Sequence, residues 1–234
     1  MLSLLAAVAL NAAAHCGYQG EVQALGLARD PRNNNLAYCE YYLPTRDNRT
    51  RVLYYNPQGH RIAEKTLITP SGQKPRNAPR PEVVQQDYRH GEERIVRRRG
   101  DQWEMRYRES DTAGWEIDVI DAGELDVIDA GFDPFVRNNW DRLSAGDAVE
   151  FNFASPLHGR AVKLRARKVD CRGEEQGNLC LRVDLAQALL RMFAGDLYLV
   201  YGTEQRQLRQ FEGIVNLLDD QGESQKLRID YFYR

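Results

Sequence analysis

The sequence predicts a mainly β protein of α+β type: a strongly curved antiparallel sheet or unclosed barrel, with two short amphipathic helices against its concave face. Three observations predict it. Runs rich in aromatic and β-branched residues recur along the 234-residue chain between turns bearing glycine and proline, as antiparallel strands do. Helical periodicity surfaces in only two places. Two helices cannot cover both faces of a sheet of about ten strands, so the sheet must curl its apolar face around them.

Met1 to Leu10 is an uncharged apolar run ending in Asn11-Ala12-Ala13-Ala14, the small-residue pattern of a signal-peptidase site. Residues 1–14 therefore read as a signal peptide cleaved near Ala14, and residues 15–234 as a single β-rich domain. The run is shorter than the roughly 20 apolar residues of a membrane span, so no transmembrane segment is expected in the mature form. Cys16 invites lipid anchoring, but His15 stands where a lipobox has a small residue, which favours soluble export to the periplasm or beyond. A hydrophobic content of 42% is enough for a full core, and a net charge of -2 gives no global attraction to nucleic acid or an anionic membrane.

Four cysteines suit an exported chain. Cys171 and Cys180 flank a glycine-bearing polar loop and are expected to staple a hairpin, which leaves Cys16 to pair with Cys39. Zinc is the alternative use, but there is no C-x-x-C pair and no histidine cluster.

Leu36 to Leu43 is an aromatic strand bounded by turns. Arg51 to Tyr55 and Arg61 to Thr69 flank Asn56-Pro57-Gln58-Gly59, a β-turn sequence, and form a hairpin. Residues 70–81 hold four prolines and form a loop or extended connection. A meander follows: Glu82 to Tyr88, Arg94 to Arg98 and Gln102 to Arg108, in which Trp103, Met105 and Tyr107 alternate with charged residues. Arg94, Arg97, Arg98, Arg99, Arg106 and Arg108 make the densest basic patch, and interleaved aromatic residues raise the possibility of nucleic-acid binding. Glu92, Glu93, Asp101, Glu104 and Glu109 among them favour a solvated face with cross-strand ion pairs instead.

The phrase Asp-Val-Ile-Asp-Ala-Gly occurs twice, at residues 118–123 and 126–131. Two copies are too few and too short for a solenoid, so a local duplication forming an acidic connection is expected. Calcium is the sharper reading of Asp118, Asp121, Glu124, Asp126, Asp129 and Asp133, but the spacing matches no known calcium loop. Asp133-Pro134 then caps a helix of about three turns, with Phe132, Val136, Trp140 and Leu143 on one face and Gly146 beyond its end.

Ala148 to Phe153 and Ala161 to Val169 are strands. A second helix is expected from Asp184, as cap, to Phe193, with Leu185, Leu189, Met192 and Phe193 on one side. Leu197 to Tyr201, Gln207 to Asn216 and Lys226 to Tyr233 close the chain as strands, the last two joined by the turn Asp219-Asp220-Gln221-Gly222.

His15, His60, His90 and His158 lie in or beside turns, without partners at ligand spacing. No catalytic, phosphate-cradling or metal motif occurs, and no cofactor is expected. The phrases VLYYNPQGHRIAEKT and FEGIVNLLDDQG, with the export signal, are similar to those of exported bacterial β-proteins of unknown function. More loosely the chain resembles the lipoprotein carriers of the outer membrane, whose curved, unclosed sheet holds helices in its concave face. That resemblance maps no functional residue onto this chain.

The function expected is a non-enzymatic exported binding protein for a hydrophobic or lipid-like ligand. Phe132, Phe135, Val136, Trp140, Leu143, Leu185, Leu189, Met192 and Phe193 would line its interior. If the helices fill that interior completely, the chain is instead an assembly factor with an envelope protein partner. A hydrolase whose acids converge from distant strands is the third class.

Overall fold

A computed structural model of the chain describes residues 13–173, 177–186 and 195–234. Eight strands precede the repeated phrase: β1 Ala24–Arg29, β2 Leu36–Tyr42, β3 Arg49–Tyr55, β4 Arg61–Ile68, β5 Glu82–Asp87, β6 Glu92–Arg99, β7 Gln102–Arg108 and β8 Glu116–Asp121. Six follow it: β9 Val149–Ser155, β10 Arg160–Lys168, β11 Asn178–Leu185, β12 Leu197–Gly202, β13 Gln207–Leu218 and β14 Ser224–Tyr233. All fourteen join one antiparallel sheet, in which two meanders, β1 to β8 and β9 to β14, are zipped together where β1 pairs with β14. The two free edges, β8 and β9, do not pair with each other, so the expected curved, unclosed sheet is what the chain forms.

Curvature brings distant strands within reach. The Gln85 side chain of β5 donates to the Asn216 carbonyl of β13 at 3.2 Å, across the concave face. Arg89, beyond β5, binds Asp220 at 2.9 Å and the Leu218 carbonyl at 2.8 Å, docking the β5–β6 turn on the β13–β14 turn.

The concave face is covered at both ends. Over β9 to β12 lie α2 (Phe132–Asn138) and α3 (Trp140–Ala145), whose Val136 and Leu143 are fully buried against Phe151, Leu181, Leu199 and Tyr201. The expected single helix is thus two, broken at Asn139, whose φ of -107° and ψ of 17° are not helical. Gly131 rather than Asp133 stands at the N-cap, and Pro134, still in the first turn, takes the place of an N–H with no helical partner. Asp133 instead pairs with Arg137 one turn later. Gly146 ends α3 in the left-handed conformation, at φ 100°, as the sequence predicts.

At the other end, the repeated phrase covers β5 to β8. Its first copy runs along β8 to Asp121, with Val119 exposed, and then turns as a 3-10 helix at Ala122 and Gly123. Its second copy crosses the concave face, burying Val127 and Ile128 completely, with Ile128 against Val83, Val96, Trp103 and Met105. Val127 bridges Phe153 in parallel, so this segment borders the β9 edge. Both copies turn as a 3-10 helix at their Ala-Gly end, but the first pairs as a strand and the second makes one isolated bridge, because their neighbours differ, and an acidic connection was too simple an expectation.

The convex face carries its own small core. A short helix, α1 (Ala13–Cys16), leads into a segment that lays Cys16, Tyr18 and Val22 over Leu25, Leu27, Cys39, Tyr41 and Leu53. Disulfides Cys16–Cys39 and Cys171–Cys180 are both formed, consistent with an oxidising, extracytoplasmic environment. Among the described residues no helix is long and apolar enough to cross a membrane.

One expectation fails where it can be examined. Asp184 and Leu185 do not begin a helix; they end β11, where buried Asp184 receives Arg165 at 3.0 Å and Arg167 at 3.4 Å. The flanking arginines of β10 make a strand of a segment whose apolar spacing suits a helix. Leu189, Met192 and Phe193 lie outside the described residues, as does most of the signal run.

Candidate functional site

Between the two covered ends the concave face is open, and the space there is a cavity of about 1270 Å³. Its floor follows from strand alternation. On β2, Cys39 and Tyr41 face the convex core, which sends Tyr38, Glu40 and Tyr42 to the concave side. On β1 the residues opposite them are small: Ala28 is paired with Tyr38, Gly26 with Glu40 and Ala24 with Tyr42. Across β1 the same three residues meet Ile229, Tyr231 and Tyr233 of β14. A trough of small residues therefore runs between two walls of large ones, bridged where the Tyr42 and Tyr231 rings meet edge-on at 6.2 Å.

Gly26 is closely covered there. A Cβ at this position would stand 3.0 Å from the Tyr231 ring and 3.1 Å from Glu40 Oε2, too close without displacement of both.

Glu40 is the acid of the site and is only 5% exposed. Tyr42 donates to its Oε2 at 2.9 Å and Tyr231 at 3.3 Å. Burial pushes the carboxyl above its usual range, against the opposing pull of the Lys65 charge and the two hydroxyls. Burial also raises the phenols of Tyr38, Tyr42, Tyr54 and Tyr231 well above theirs, which keeps them protonated as donors.

Beside this group, buried Lys65 of β4 binds both oxygens of Asp129, at 2.8 and 3.0 Å. Asp129 belongs to the second copy of the repeat and holds a left-handed φ of 47°. Its Oδ2 also accepts from Asn216 of β13 at 2.9 Å. One carboxylate thus ties β4, β13 and the crossing segment together along the cavity wall. Farther along, Asp133 and Arg137 of α2 line the same space, and burial raises the Asp133 carboxyl despite its arginine.

The remaining wall is apolar: Phe132, Phe153, Leu164, Leu197, Leu199 and Phe211. Lys74, Arg76 and Arg234 also border the cavity, as cations.

Of the lining residues predicted from sequence, Phe132 reaches the cavity. Phe135, Val136, Trp140 and Leu143 pack into the core beneath the helices, Phe135 on Phe151 at 4.6 Å and Trp140 edge-on to Tyr201 at 6.0 Å. Leu185 is half-buried at the end of β11 and does not border the cavity. The acids weighed for calcium are dispersed: Asp126 accepts from the Asn152 amide, Asp129 holds Lys65 and Asp133 holds Arg137. Among the described residues no three acidic, cysteine or histidine side chains gather as a metal site. Four of the six arginines of the basic patch are ion-paired, Arg94 with Glu92, Arg99 and Arg106 with Glu104 and Arg108 with Glu93, and Arg98 lies over the Trp103 ring.

Glu40 and Lys65 went unnoticed in the sequence, and Asp129 was weighed there only as a calcium ligand. A signal existed in LAYCEYYL: once Cys39 is assigned to a disulfide on one face, period-two alternation places Glu40 between Tyr38 and Tyr42 on the other. Comparison with family models, with curated proteins and with solved structures returned no match.

Proposed function

We propose that this chain is a non-enzymatic, exported protein of the periplasm that binds one hydrophobic or lipid-like molecule in its concave cavity. The observation that carries the reading is the space itself. At about 1270 Å³ it exceeds the roughly 300–1,000 Å³ of ordinary small-molecule sites, and one of its walls is apolar enough for an acyl chain. The polar groups within it are bonded to one another, Lys65 to Asp129 and Glu40 to two tyrosines, a pattern that suits holding a ligand better than transforming one. The test is titration with an environment-sensitive apolar fluorophore. Saturable binding at one site per chain, lost in Val215→Trp, which fills the cavity from β13, supports the reading; absence of saturable binding overturns it.

A second reading, an envelope assembly factor, draws on β8. This edge strand leaves Ile117 and Val119 each 54% exposed, a row of unpaired backbone with apolar side chains that another chain could extend. It predicts one recurrent crosslinked envelope partner that disappears in the Ile117→Lys, Val119→Lys double variant.

A further inference from the structure

Resting on the binding reading above, we propose that the ligand's head group is cationic: an ammonium or similarly charged nitrogen seated over β1, between the Glu40 carboxylate and the rings of Tyr42, Tyr54 and Tyr231.

The argument begins with charge. Three ionisable groups of opposite sign meet at the cavity floor, and two of them satisfy each other: Lys65 Nζ is held by both oxygens of Asp129. Glu40 is left without an ion pair among the described residues, the Lys65 charge acting on it only from beyond contact distance; its Oε1 accepts no hydrogen bond, while Oε2 takes both tyrosine hydroxyls. A buried carboxylate lacking a positive partner is costly, and a ligand that brings the missing charge removes that cost. The surroundings suit a cation in a second way. Tyr38 meets Tyr54 edge-on at 5.8 Å and Tyr42 meets Tyr231 at 6.2 Å, so four rings stand around the acid, and ring faces attract ammonium groups most strongly where water is excluded. Gly26 keeps β1 low beneath them, where any side chain would press on Glu40 and Tyr231.

An anionic head fits poorly. The Lys65 charge is already neutralised, Arg137 is paired with Asp133, and an anion over β1 would face Glu40 and Asp129 together. Lys74, Arg76 and Arg234 border the cavity without being part of this floor. The groups that face Glu40 are Tyr38 and Tyr42 of β2, Tyr54 of β3, Lys65 of β4, Tyr231 and Tyr233 of β14, and Asp129. The tyrosines stay protonated, so a cation that displaces a proton from Glu40 binds more tightly as pH rises.

The probes are decyltrimethylammonium, decanol and decyl sulfate, each below its aggregation concentration, titrated calorimetrically into the oxidised full-length chain. The expected ranking is ammonium over decanol by about tenfold or more, with the sulfate weakest. Glu40→Gln should abolish the ammonium preference, bringing the ratio of ammonium to decanol affinity to about one. Equal affinities, a sulfate preference, or a preference that survives Glu40→Gln overturns the inference and leaves the cavity reading standing. Failure of all three probes to bind overturns both. Should Glu40→Gln not fold, the ranking on the unaltered protein decides.

Discussion

Replacing Asp129 by asparagine keeps the shape and the left-handed φ of 47° that this residue adopts, but removes the charge and turns one acceptor oxygen into an NH2 donor. The consequence falls on Lys65. Its side chain is 5% exposed and its ammonium loses both carboxylate contacts, at 2.8 and 3.0 Å, keeping at most one amide oxygen. Breaking a buried pair by removing one partner costs about 3–5 kcal/mol, and the 17% exposure of Asp129 argues for the lower end, about 3 kcal/mol. For a chain of this size that lowers Tm by roughly 6–12 °C. Urea denaturation of the oxidised protein, followed by tryptophan fluorescence, measures it. Lys65→Met with Asp129→Asn should recover to within about 1 kcal/mol of the parent, because no unpaired charge then remains. A single variant that loses less than about 1 kcal/mol, or a double variant no better than Asp129→Asn, would refute the argument that this pair clasps β4 to the crossing segment.

Leu143→Ala should cost about 2–5 kcal/mol in the same assay, since the side chain is fully buried beneath α3; a smaller loss means the helix is loosely seated. Glu40→Gln should make stability less dependent on pH. The folded protein holds the Glu40 proton more tightly than the unfolded chain, so its contribution is complete below the ordinary carboxylate range and is lost as pH rises through the raised folded value. The variant, unable to ionise, should gain on its parent as pH rises from the ordinary carboxylate range through the raised folded value, and a difference that does not change with pH would count against a buried acid. Removing Cys171–Cys180, with a sequence separation of 9, should cost about 2–3 kcal/mol, and removing Cys16–Cys39, with a separation of 23, somewhat more; the reverse order in paired Cys→Ala variants would contradict the loop-closure argument.

The curved sheet was legible because its strands announce themselves by alternation and its turns by glycine and proline. The hairpin around Asn56-Pro57-Gln58-Gly59 and the strand Gln102 to Arg108 appear with nearly the expected limits. Strand β1 did not announce itself: Ala24-Leu25-Gly26-Leu27-Ala28 has none of the β-branched or aromatic residues that mark a strand, and it forms one because β2 and β14 bond it on both sides. That omission hid the site, since the cavity floor exists only where small residues of β1 separate two aromatic walls. Asp184 misled for the complementary reason. A polar residue before an apolar run resembles a helix cap, and only the fold shows that Arg165 and Arg167 lie beside it. The helical face of Phe132, Val136, Trp140 and Leu143 was expected to line the interior; Phe132 borders the pocket, while Val136, Trp140 and Leu143 are buried. The buried three pack against the sheet of β9 to β12, and most of the pocket lies farther along, over the strands nobody would choose for apolar character alone.

The central claim is that the middle of the concave face holds a ligand. Native mass spectrometry of the full chain, purified from an exporting cell without organic extraction, tests it most directly. The account predicts a single apolar adduct at one per chain, released by solvent and missing from Val215→Trp. A clean apo mass for the parent protein under the same gentle conditions would contradict it.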